Sequence, residues 1–124
     1  MNIASKAIIA LGLVAAAAFA HASGWVAVLK NTPAELFDDD DLRLFLATAA
    51  AVLNADGQPV KTAWSNPATG AGGDFLVIGQ SVDANKAACK RVRFSVSAKE
   101  RASRQLVWTA CKDTSGRWRL SHVG

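Results

Sequence analysis

An α+β domain is predicted, with N-terminal helices packed on a four- to five-stranded, mainly antiparallel sheet that carries one cross-strand disulfide. Three observations predict it. Apolar residues recur at three- and four-residue steps between Asp40 and Asn54. From Gln58 onward the apolar period falls to two. Two cysteines, Cys89 and Cys111, then fall at matching distances from one hairpin turn.

Before the domain, residues 1–22 read as a cleavable secretory signal peptide. Lys6 supplies the positive start, Ala7 to Ala20 is apolar apart from glycine, and Ala20-His21-Ala22 gives the small-x-small cleavage pattern before Ser23. The apolar run of about 14 residues is short for a bilayer core that takes roughly 20. An uncleaved N-terminal anchor is the alternative. Removing the signal leaves roughly 102 residues, residues 23–124, enough for one domain. No later run is long enough to form a second span.

Gly24 to Leu29 is a short apolar segment around Trp25, suited to a strand or a packed arm. Thr32 then reads as a helix cap, with Pro33 at the first helical position and Glu35 placed for a capping box. Asp38 to Asp41 interrupt the apolar pattern and offer a second cap at Asp39 or Asp40. The longer helix, Asp40 to Asn54, presents Leu42, Phe45, Leu46, Ala49, Val52 and Leu53 as one stripe, and Gly57 ends it.

Strands follow at Val60–Trp64, Asp74–Gly79, Cys89–Ser97, Arg104–Lys112 and Gly116–Leu120, with a turn at Asn66-Pro67-Ala68-Thr69-Gly70. Folding the third and fourth strands about Glu100 sets Val92 against Trp108, Phe94 against Leu106 and Cys89 against Cys111. That register brings the two sulfurs within bridging distance. Cys89 has the opposite parity to Val92 and Phe94, so the bridge belongs on the other sheet face unless a bulge intervenes. An even cysteine count in an exported chain favours a disulfide. Two cysteines with one mature histidine, His122, make a poor metal site, and no cofactor is expected.

The Asp38–Asp41 run lacks the spaced ligands of a calcium loop, and helix capping explains it. From Lys86 onward there are ten basic residues against Glu100 and Asp113. Arg91 and Arg93 share one strand face, and Arg117 and Arg119 share another. Such a face meets anionic envelope polymers, or it is a solvated surface that protects sheet edges. Of the four tryptophans, Trp64, Trp108 and Trp118 fall on strands, where packing is the default and sugar stacking the alternative. No histidine lies near a nucleophile and no acidic pair is nominated, so no catalytic residues are assigned and no enzyme is expected.

Ala63-Trp64-Ser65-Asn66-Pro67-Ala68-Thr69-Gly70, followed by Gly72-Gly73, resembles the Trp-Ser-Asn-Pro-x-Thr-Gly-x-x-Gly segment of the seventeen-kilodalton surface antigen family. Cys89-Lys90-Arg91, Thr109-Ala110-Cys111-Lys112 and Gly116-Arg117-Trp118 resemble that family's later cysteine and Gly-x-Trp blocks. The resemblance covers roughly residues 60–120 and implies a bacterial envelope protein, periplasmic or associated with the outer membrane. It assigns no functional residues. Trp64, Asn66, Pro67 and Gly70 are expected to be structural, building the motif turn. The chain departs from the family pattern in lacking a lipid-attachment cysteine and a glycine-rich membrane-associating segment.

The expected function is that of an exported, non-enzymatic envelope protein contacting an anionic envelope polymer, or an envelope protein, through Arg91, Arg93, Arg117 and Arg119. The alternative is a secreted protein-binding module such as an enzyme inhibitor. Nucleic acid is not expected as a partner of an exported chain.

Overall fold

The computed structural model describes residues 29–123, with side chains described through Ser121. The predicted signal peptide and the segment around Trp25 lie outside the described residues. One helix, α1 (Asp39–Asn54), packs on five strands: β1 (Thr62–Asn66), β2 (Ala71–Val82), β3 (Ala88–Ala98), β4 (Arg101–Lys112) and β5 (Trp118–Val123). Each strand pairs antiparallel with the next, so the spatial order is the sequence order. Among the described residues no helix is long and apolar enough to cross a membrane.

The first expected helix is a single four-residue 3-10 turn, Pro33–Leu36. Thr32 caps it, its hydroxyl accepting from the Ala34 N–H at 3.1 Å. Glu35 accepts instead from the Asn31 N–H, at 2.6 Å, so the expected reciprocal box does not close on Thr32. The turn stops because Phe37 is drawn onto Trp64, with ring centroids 5.2 Å apart.

That contact also moves the start of α1. The chain leaves the core at Phe37, which makes Asp38 the cap rather than Asp39 or Asp40. Asp38 accepts from the Asp41 N–H at 2.8 Å, and Asp41 accepts from the Asp38 N–H at 3.1 Å. An aspartate thus takes the place usually held by glutamate in a capping box. The stripe of α1 buries Phe45, Ala49, Val52 and Leu53, while Leu42 and Leu46 pack at its margins.

Phe45 is the centre of the core. Its ring lies 5.0 Å from Phe75, 5.7 Å from Phe94 and 6.4 Å from Trp64, and all of these sit on the sheet face under the helix. Truncating it to alanine removes a fully buried aromatic and costs about 3–5 kcal/mol.

The β3–β4 register is the one the sequence predicts, with Val92 opposite Trp108, Phe94 opposite Leu106 and Cys89 opposite Cys111. The disulfide is formed, with the two Cα atoms 4.0 Å apart. Closing a loop across 22 residues is worth about 3 kcal/mol in the chain-entropy view. The β3–β4 pairing is unbroken from Cys89 to Val96, so parity holds and the bridge lies on the face opposite the helix.

Strand β2 begins at Ala71, three residues before the expected Asp74, and runs on to Val82. Gly72 and Gly73, which lie between the expected turn and the expected strand, are paired strand residues. The Trp64 indole lies over Gly73: a Cβ built there would stand 3.3 Å from Trp64 Nε1 and 2.1 Å from the Ser95 carbonyl oxygen. Glycine at this position lets an aromatic cover the strand where a side chain would collide with the neighbouring backbone.

Candidate functional site: the motif turn, the basic face and the β2 edge

The turn after β1 docks the sheet onto the start of α1. Asn66 and Thr69 both donate to Asp41 Oδ1, each at 2.7 Å, across more than twenty residues of sequence. Asn66 also organises its own turn. Its side-chain oxygen accepts from the Ala68 N–H at 3.1 Å, and its carbonyl accepts from the Gly70 N–H at 2.9 Å. Pro67 occupies the exposed bend, where a fixed φ suits the turn. Gly70 takes φ +79° and sits against Lys99 Cβ, so a side chain there meets both strain and contact.

Asp41 is completely buried. Burial pushes its carboxyl up, but the Thr69 hydroxyl, the Asp38 N–H and the Asn66 amide together outweigh that and hold it below the usual carboxylate range. Sequence reading treated the acidic run as capping alone and missed that Asp41 and Thr69 belong to the same motif. The signal available was the conjunction of an Asx-type turn with a helix N-terminus rich in carboxylates.

Arg91, Arg93 and Arg119 occupy strand positions on the face opposite the helix, whereas Arg117 precedes β5 in the β4–β5 turn, and their states differ. Arg91 pairs with Thr109 and Arg93 with Val107 across β3–β4, and both arginines are exposed. Neither side chain makes a hydrogen bond or an ion pair among the described residues. Arg119 is already engaged: its Nε donates to Asp113 Oδ2 at 2.8 Å. Asp113 also accepts from the Ser115 hydroxyl at 2.6 Å and the Arg117 N–H at 3.0 Å. The Ser115 hydroxyl foremost, then Arg119, hold its carboxyl far below the usual range. The Arg119 side chain is therefore bound up in the β4–β5 turn, which Arg117 joins through its backbone.

Other basic residues are spent on the helix side. Lys90 Nζ donates to the Leu53 and Ala55 carbonyls at 2.7 and 3.0 Å, closing the C-terminal end of α1. Lys90 and Lys112 each lie 5.5 Å from the Trp118 ring centroid, and Trp118 Nε1 donates to Asn54 Oδ1 at 2.9 Å. Arg104 donates to the Asn31 carbonyl at 2.8 Å. Trp64 is buried in the core, and Trp108 and Trp118 are half-buried and packed against it. None of these three is laid open as a sugar platform.

Asp83, Cys89 and Cys111 bring three ligand-type atoms together, but both sulfurs are consumed in the disulfide and offer no thiolate. A cavity of about 190 Å³ lies beside β2, between the end of α1 and the segment leading to β1. Its walls include Ala51, Val52, Val60, Val77, Gln80 and Lys90.

Among the described residues the chain is thus a small α+β domain, one helix clamped to a disulfide-bridged antiparallel meander, with polar groups that serve packing and surface charge. The chain belongs to the 17 kDa outer membrane surface antigen family, whose family model matches residues 51–119. Membership supports a location in the cell envelope. No curated protein and no solved structure matched the chain.

Proposed function

We propose that the mature chain, residues 23–124, is an exported, non-enzymatic envelope protein that binds an anionic envelope polymer through the sheet face opposite its helix. One observation carries the reading. Arg91 and Arg93 stand exposed at alternate positions of one strand, with no partner among the described residues, while Lys90, Arg104 and Arg119 are each tied to a structural acceptor. Alternate positions on a strand lie ~7 Å apart. That spacing lets two guanidinium forks engage successive phosphates or carboxylates of a chain. The contribution of Arg119 is secondary, because ligand must compete with Asp113; Arg117 lies beside it in the β4–β5 turn.

The test is co-sedimentation of the oxidised mature chain with isolated cell wall and outer membrane at low and high salt. Binding should be lost at high salt and in Arg91→Glu/Arg93→Glu. Sedimentation unchanged by that double substitution would end the proposal.

A further inference from the structure

A separate feature points to a protein partner. Strand β1 pairs with β2 only from Ala71 to Phe75, yet β2 runs on to Val82. Over Leu76–Val82 one edge is bonded to β3, and the other has no backbone partner among the described residues. The segment that would extend β1 along this edge, residues 57–61, diverges from it instead, and the 190 Å³ cavity opens in the gap. Val60 lines it and is 71% exposed, and two further apolar side chains stand exposed along β2 itself, Val82 at 68% and Ile78 at 39%.

Size argues against a small-molecule site. Ligand pockets run from ~300 Å³ upward, whereas a cavity of ~150 Å³ already holds a benzene ring. The space beside β2 fits one apolar side chain. Charge argues for the rest of the occupant. Gly79 lies directly opposite Arg91, and a Cβ built on Gly79 would stand 3.8 Å from Arg91 Cβ. Because Gly79 has no side chain, a strand added to this edge would face Arg91 across an open lane on the outer face. On the inner face its alternate side chains would face the cavity, whose walls include Ala51, Val52, Val60 and Val77.

We propose that the free edge of β2 over Gly79–Val82, with its adjoining cavity, receives an extended segment of a partner protein whose side chains alternate between apolar and acidic. The segment adds a sixth strand. Backbone hydrogen bonds supply the seat, one apolar side chain fills the cavity, and an acidic one reaches Arg91. The bulge at Ile78 bounds the seat, leaving Gly79–Val82 as its regular stretch.

The probe is a synthetic, end-blocked hexapeptide alternating valine and glutamate, titrated into the isotope-labelled, oxidised mature chain and followed by NMR. Saturable shifts at Gly79, Gln80, Ser81 and Val82 are expected, with slowed amide exchange on that edge. Ala51→Trp, which fills the cavity from an exposed helix position, should weaken the peptide about tenfold while leaving sedimentation with envelope polymer unchanged. Arg91→Glu should lose the valine–glutamate peptide and gain one in which lysine replaces glutamate. Absence of saturable shifts, shifts confined to the free edge of β4, or undiminished binding by Ala51→Trp would each overturn the assignment. Because Ala51 plays no part in polymer contact, its failure is distinguishable from failure of the polymer reading.

Discussion

Asp41 and Asp113 perform the same chemical act in opposite settings. Each carboxylate gathers at least three donors and is held below its ordinary pKa range. Asp41 draws two of its donors, Asn66 and Thr69, from another element and lies fully buried. Asp113 draws all of its donors from within six residues and stands in solvent-screened surroundings. The first arrangement decides where a helix sits on a sheet. The second shapes a turn that would exist in some form without it.

That contrast can be broken most forcefully at Asp41. Asp41→Ala strands the Asn66 amide and the Thr69 hydroxyl in a buried site and should cost about 3 kcal/mol. Chemical denaturation reads this as a large fall in midpoint at constant slope. A loss no greater than that of Asp113→Ala would refute the distinction.

Next in size, Thr69→Val removes one donor and keeps the shape, and should cost about 1–2 kcal/mol. Combined with Asp41→Ala its effect should shrink to the share of the hydroxyl's other bond, accepted from the Ala71 N–H at 3.2 Å. Simple additivity in that double-mutant cycle would mean that Thr69 is stabilised by something other than Asp41.

Acid sharpens the comparison further. Both carboxylates have folded pKa values below their unfolded ones. Their stabilisation is therefore complete above the unfolded value, ~3.9, and declines as pH falls through the folded value. Midpoints measured from neutral pH downward should fall below about pH 4. Asp41→Asn should flatten that fall in low and high salt alike. Asp113→Asn should flatten it only in low salt, because its exposed contacts are screened.

The smallest expected change in stability is that of Asp113→Ala, whose consequence is functional. Freed of its partner, Arg119 joins Arg91 and Arg93 on the outer face, and sedimentation with anionic polymer should strengthen. Weaker sedimentation would place Asp113 among the groups that shape the binding face.

The same contrast explains what the sequence disclosed. The pairing of Cys89 with Cys111, and of Phe94 with Leu106, was legible because period-two alternation and hairpin symmetry are local properties of β3 and β4. Asp41 was not recognisable as the acceptor for Asn66 and Thr69, since nothing in four adjacent aspartates marks which one faces the sheet. The strand character of Gly72 and Gly73 was hidden because it depends on Trp64 lying overhead. Parity sends Lys90, Arg104 and Lys112 to the sheet face that bears the helix, where they meet α1, Asn31 and Trp118, and leaves Arg91 and Arg93 on the other. Packing of Phe37 on Trp64, a contact between distant segments, set the cap of α1 at Asp38.

The sequential order of the five strands has a kinetic consequence. Every ladder joins chain neighbours, so each new strand closes only a short loop and the entropic barrier to assembling the sheet stays low. Docking of α1 on β1 and β2 reaches back only two elements. Refolding of the oxidised chain should therefore be a single fast phase in stopped-flow fluorescence. The tryptophan signal should rise as Trp64 meets Phe45, and no collapsed intermediate should accumulate long enough to aggregate.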